Sequence, residues 1–155
     1  MRRTDRERDQ AFAYEVIDRC AYGVAAMAGG DGTPYCIPLS LVRLGDVLYF
    51  HCALEGTKLE LLRQNPRVCV SFVASNQAAP DKFTTYFQSA NVVGTASEVT
   101  DDAEKITALR VLCEKLTPAN MAGDNFDRAI AKSLSRTGVW RIQIQEATGK
   151  EKRRS

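Results

Sequence analysis

A single histidine, and five cysteines with no C-x-x-C pair among them, leave this chain of 155 residues without the ligand spacing of a zinc site. Nor does it carry a G-x-S-x-G elbow, a phosphate-binding P-loop or a G-x-G-x-x-G turn. Gly29-Gly30-Asp31-Gly32 precedes a strand-like segment instead of a helix, so it is no dinucleotide turn. Hydrolase, metalloenzyme and Rossmann readings all lose ground. An excess of one charge is also missing: 21 basic residues face 19 acidic ones, a net charge of +2. No strong field draws the chain to nucleic acid or to an anionic membrane. Arg2, Arg3 and Arg6 at one end, and Lys150, Lys152, Arg153 and Arg154 at the other, could touch a polyanion, but solvated termini account for them better. Long apolar runs are absent too. The longest, Val68 to Ala74 with Ser71 inside it, falls far short of the ~20 residues that cross a bilayer, and the chain opens on Arg2, Arg3, Asp5, Arg6 and Glu7. Cys20, Cys36, Cys52, Cys69 and Cys113 lie scattered in apolar segments, an odd number better suited to reduced thiols than to disulfides. The expectation is a cytoplasmic protein with no membrane or nucleic-acid partner.

What is present reads as one domain, residues 1–149, followed by a charged flexible tail, residues 150–155. Phe12, Val16, Ile17 and Cys20 recur at helical spacing. Val24 to Met27 is a strand, and the glycine-rich turn after it leads to a second strand, Tyr35 to Val42, which contains Pro38. A proline there removes a ladder donor, which fits an edge, a bulge, or a place where something other than a strand approaches the backbone. In the third strand, Val47 to Cys52, the residues Val47, Tyr49 and His51 share one face while Leu48, Phe50 and Cys52 share the other. Thr57-Lys58-Leu59-Glu60 matches a capping box, with Thr57 as the cap, and Asn65-Pro66 ends that helix. Arg67 to Ala74 and Phe83 to Val99 are strands, and Gly94 marks a bend or bulge in the second. Thr100-Asp101-Asp102 caps a helix carrying Ile106, Leu109, Leu112, Cys113 and Leu116; Phe126, Ile130 and Leu134 form a short one; and Trp140, Ile142 and Ile144 alternate on the last strand. Six strands joined as hairpins, with helices inserted between them, predict a mainly β antiparallel barrel with accessory helices.

The candidate site is where Ile37-Pro38-Leu39-Ser40, Phe50-His51-Cys52-Ala53 and Glu55-Gly56-Thr57-Lys58 could converge. Lys58, in the first turn of a helix, is suited to a phosphate because free amides and the macrodipole add to its charge. An ordinary surface lysine is the alternative, and Glu60 competes for the same electropositive end. His51 could donate to a ligand or move a proton, or be a hydrogen-bonded rim histidine. Trp140 fits the core or an interface better than a stacking role. Cys52 and Cys36 have no evident base or resolving thiol, which makes neither a redox nucleophile.

These segments, in this order, resemble the pyridoxamine 5'-phosphate oxidase-like flavoproteins, and within them the nitroimidazole-resistance (Nim) type. The resemblance is carried by Asp31-Gly32-Thr33-Pro34 before Ile37-Pro38-Leu39-Ser40, then Tyr49-Phe50-His51, Glu55-Gly56-Thr57-Lys58, Asn65-Pro66-Arg67-Val68, Gly94-Thr95-Ala96 and Gly138-Val139-Trp140. It implies a six-stranded split β-barrel forming a homodimer, with FMN in two clefts between the subunits. Ile37, Pro38, Leu39 and Ser40 would line the flavin ring, Phe50, His51, Cys52 and Ala53 would run along it, and Thr57 and Lys58 would meet its phosphate. Ser89, Asn91 and Trp140 are further candidates from either subunit. His51 matches a histidine near the flavin and substrate, whereas Thr57 departs from the basic or imidazole residue often found there. The implied activity is FMN-dependent reduction of a small-molecule electron acceptor, such as a nitro compound or quinone. The alternatives are a non-catalytic flavin-binding or sensing protein, and an oxidase relative with another substrate; the long basic carboxy-terminal segment of the true oxidases is lacking.

Overall fold

The computed structural model describes residues 2–154; Met1 and Ser155, which the expected domain and tail include, lie outside the described residues. Along the chain come β1 (Glu7–Arg8), α1 (Gln10–Arg19), β2 (Gly23–Ala28), β3 (Pro34–Leu39), β4 (Val42–Leu44), β5 (Val47–Cys52), α2 (Thr57–Gln64), β6 (Arg67–Ala79), β7 (Thr84–Glu98), α3 (Asp102–Leu116), α4 (Asn125–Ser133) and β8 (Gly138–Lys152). Asp9 and Asp101 cap α1 and α3, accepting from the amides of Phe12 and Glu104.

All eight strands belong to one antiparallel sheet with the order β3-β2-β6-β7-β8-β5-β4, and β1 adds to β8. Six were expected. One of the two extra strands is β1; the other arises where the chain changes partner: the segment read as one strand from Tyr35 to Val42 pairs with β2 as far as Leu39, bends at Ser40-Leu41, and then pairs with β5 as β4. The two ends of the sheet are therefore joined by two residues, and the barrel is closed there by the chain itself instead of by a ladder. Pro38 lies on the end strand β3, where a missing donor costs no second ladder.

β5 separates two apolar cores. Leu48 and Phe50 face the barrel interior with Val70, Phe72, Val92, Trp140 and Ile142, and α1 closes that interior with Phe12, Val16 and Ile17. Val47 and Tyr49 face the other way, towards Leu109, Leu112 and Phe126 of α3 and α4. A strand buried on both faces must be apolar throughout, which is why Val47-Leu48-Tyr49-Phe50 shows no polar alternation. Tyr49 ties the helical layer to the sheet: its hydroxyl donates to Glu104 at 2.8 Å, and Arg141 donates to the same carboxylate oxygen at 3.0 Å.

The expected tail is not loose as far as Lys152. β8 continues to that residue, with Lys150 opposite Glu7 on one side and Ser89 on the other. The buried carboxylate of Glu151 anchors it, paired with Arg8 and Arg153 and accepting from Gln88 at 2.7 Å. Burial alone would raise its pKa, but the hydrogen bonds from Arg153 and Gln88, together with the charges of Arg153 and Arg8, hold it below the usual value. A carboxyl with a depressed folded pKa stabilises the fold above its unfolded pKa and loses that contribution as pH falls through the folded value. Glu151→Gln is expected to cost about 1–3 kcal/mol at neutral pH, and less at pH 3, when urea unfolding is compared at the two pH values.

Candidate functional site

The cap position of α2 is Gly56, not Thr57. Gly56 holds φ +141°, a conformation that glycine adopts without strain, and a Cβ built there would meet no atom within 4 Å. The expected capping box is therefore not formed: Thr57 is the first helical residue, and no side chain caps this end. The amides of Leu59 and Glu60 are taken by the Gly56 carbonyl at 2.9 and 3.1 Å. Those of Thr57 and Lys58 have no acceptor among the described residues, so donors, helix dipole and the Lys58 ammonium are concentrated at one open end. Leu59 and Leu62, both almost fully buried, fix the helix to the barrel mouth.

Beside this end sits Cys52, whose thiol is pushed up by burial, with Lys58 and Arg63 pulling the other way and Glu98 adding to the rise. It is held as a thiol, which suits a packed residue better than a nucleophile. Arg63 lies 5.7 Å from the Trp140 ring and 3.5 Å from the Glu98 carboxylate. Sequence reasoning missed Arg63, having counted only the apolar side of α2; a second cation five residues after Lys58 was the available signal.

The other candidates fall into separate places. Pro38 is exposed on the outer face of the sheet, in one register row with Val24, Ser71 and Asn91; Ser89 lies in a neighbouring row opposite Val73. At about 4.8 Å per strand this row spans about 14 Å. The next row, Cys36, Ala26, Cys69 and Val93, is as small, so this face is shallow. Ile37 and Leu39 point inward against the core, Phe50 and Trp140 are buried in it, and Ser40 is exposed at the corner where the chain changes partner. The Trp140 indole N–H is buried without an acceptor among the described residues. Ala53 is exposed just before α2. His51, on the opposite face of β5 from Phe50 and Cys52, reaches a groove between α3 and α4. One chain thus gathers Cys52, Ala53, Thr57 and Lys58 at the start of α2, Pro38, Ser89 and Asn91 on the outer sheet face, and leaves His51 apart from both.

The pyridoxamine 5'-phosphate oxidase family matches residues 9–151, nearly the whole of this barrel. The chain belongs to that family. Solved structures share the fold of this family member at low identity. A flavocytochrome, Anf3 from Azotobacter vinelandii, is 23% identical, with a TM-score of 0.81 over 99% of this chain and 72% of that one. A candidate 5-nitroimidazole antibiotic resistance protein from Bacteroides thetaiotaomicron is 22% identical, with a TM-score of 0.76 over 92% and 84%. An FAD-binding protein from Mesorhizobium loti is 24% identical, with a TM-score of 0.69 over 96% and 98%. No curated protein matches this pyridoxamine 5'-phosphate oxidase family chain. None of its described helices is long and apolar enough to cross a membrane, and its described residues contain no cluster of metal-binding side chains.

Proposed function

We propose that this protein binds FMN in a cleft completed by a second copy of the chain and uses it to reduce a small-molecule acceptor, such as a nitro compound or a quinone. The observation that carries this reading is the uncapped start of α2, where two unpaired amides and Lys58 meet over an open glycine. That is the donor set of a phosphate. The free edge of β3, with Pro38 lacking an N–H, offers backbone carbonyls and amides to a flat ring. Val24 and Val73, 37% and 60% exposed, with Tyr22 at 59%, make the outer sheet face more apolar than a solvated surface needs, which supports a second copy packing there. All five cysteines are free, in keeping with a cytoplasmic protein.

A bound flavin supplies reversible two-electron chemistry. The chain's part is to hold it and to present the acceptor. Lys58 and the Thr57 and Lys58 amides hold the phosphate, the β3 edge orients the ring, and the His51 imidazole, which its own chain holds apart from both clusters, hydrogen-bonds the acceptor in the cleft that the second copy completes.

The test is the visible spectrum of the purified protein, followed by release and chromatographic identification of the chromophore. FMN near one per chain is expected; colourless protein that FMN cannot reconstitute would refute the reading. Turnover is separable. Reduced anaerobically, the holoprotein is expected to be reoxidised by a nitroimidazole or a quinone faster than free reduced FMN, and a rate no faster leaves a flavin-binding protein that is not an enzyme. His51→Ala should slow that reoxidation about tenfold or more while flavin retention is unchanged. Equal loss of both would remove His51 from the acceptor side.

A further inference from the structure

The inward face of β6, β7 and β8 changes character where the sheet runs on past the barrel. As far as the row Phe72, Ala90 and Gly149 that face is apolar, with Phe12 of α1 packed over it. Ala74 is the extra residue of a bulge, and beyond it the next row is Ser75, Gln88 and Glu151, followed by Gln77 opposite Tyr86. No other strand covers these rows, since β2 pairs with β6 no further than Ser71 and β5 with β8 no further than Gln143. They floor an open cleft of about 330 Å³ that also takes in Arg153 and Arg154. One wall of it is fixed. Arg19 donates to Gln88 at 2.5 Å, Gln88 donates to Glu151 at 2.7 Å, and the buried Glu151 carboxylate is paired with both Arg8 and Arg153. Arg153 spends its Nε on that pair, which leaves its terminal nitrogens to the cleft. The Ser75 and Tyr86 hydroxyls, the Gln77 amide and the Arg154 guanidinium have no side-chain partner among the described residues.

The pairing of β1 with β8 brings the two basic ends of the chain together, with Glu7 opposite Lys150 and Arg8 opposite Gly149. The result is not an open field for a polyanion: Asp5 takes Arg3 and Arg6, and Glu151 takes Arg8. The positive charge left over lies at the cleft. We infer that the cleft binds a nucleoside monophosphate, with Arg153 and Arg154 on the phosphate, the Tyr86 ring against the base, and Ser75 and Gln77 hydrogen-bonded to the base or the ribose. Guanidinium forks match phosphate oxygens, an aromatic ring offers a stacking face to any base, and the size falls in the usual range of about 300–1,000 Å³ for small-ligand clefts. The proposal goes beyond the flavin reading and does not rest on it: none of these residues is assigned to the flavin, and their rows face inward, whereas the second copy packs on the outward face.

The experiment titrates the purified protein, labelled at its backbone amides, with AMP, and in parallel with adenosine and with inorganic phosphate. Saturable shifts are expected at Ser75, Gln77, Tyr86 and Arg153, with a dissociation constant for AMP in about the 0.01–1 mM range and binding of phosphate alone roughly tenfold or more weaker. Arg154→Glu, at an exposed position, should weaken AMP about tenfold or more and leave adenosine unchanged. Gln77→Glu, also exposed, places a carboxylate in the cleft and should weaken AMP as well. No saturable shift, shifts centred instead on Thr57 and Lys58, phosphate binding as tightly as AMP, or AMP affinity unchanged in Arg154→Glu would each overturn the proposal. The parent map needs no variant to fold and no flavin to be present, so colourless protein that still binds AMP at this cleft would separate it from the flavin reading.

Discussion

Replacing Gly94 with alanine is expected to cost about 3 kcal/mol and to lower the Tm by roughly 10 °C. The reason is a place where two strands come too close for any side chain. Between Val93 and Gly94 the pairing of β7 with β8 slips: Val93 stands opposite Glu146 but Gly94 opposite Ile144, so Gln145 is the extra residue of a bulge. A Cβ at position 94 would lie 2.4 Å from the Gln143 carbonyl oxygen and 2.7 Å from Cγ2 of Ile142. Gln143 cannot retreat. Its strand is held by β5 on the other side, where Gln143 pairs with Val47, and the next amide, that of Ile144, donates to Asp46 at 2.8 Å. The clash therefore has to be met by breaking ladder bonds near the bulge. Thermal unfolding of the variant checks this, and a loss below about 1 kcal/mol would show that β8 can yield at its bulge.

The second large effect is on binding. Lys58→Ala is expected to weaken FMN about 10- to 100-fold, the equivalent of the 1.5–3 kcal/mol typical of a hydrogen bond to a charged group. Because the proposed partner is the phosphate, riboflavin, which has none, should bind the variant and the parent alike. The Thr57 and Lys58 amides remain in the variant, so binding is weakened and not lost. FMN affinity unchanged by the substitution, or riboflavin weakened as much as FMN, would take Lys58 away from the phosphate.

Much of this was legible in the residues. The alternation of Val47, Tyr49 and His51 against Leu48, Phe50 and Cys52 states which side chains share a face, and both cores respect it. Thr100-Asp101-Asp102 announces its helix, and Gly94 its bulge. What escaped was decided by distant partners. The three residues of β4 become a strand because β5 is there to pair with, and Glu7–Arg8 because Gly149 and Lys150 are. The capping box at Thr57 failed because Gly56 takes the cap position one residue earlier, at a φ that favours glycine.

The candidate site was half legible. Residues 50 to 53 were grouped as one surface, although their own alternation sends Phe50 and Cys52 one way and His51 the other. Contiguity in sequence was taken as contiguity in space, and a strand contradicts that at every second residue. The leucines of α3 and the apolar face of α4 read as ordinary core, since periodicity reports which face is apolar and not whether its partner arrives.

Sedimentation of the purified protein, monitored at the visible band of the flavin, tests the central claim most directly. Flavin absorbance is expected to travel with a species of two chains and to be released when dilution separates them. Flavin bound to a single chain, or a two-chain species that carries none when FMN is supplied in excess, would contradict it.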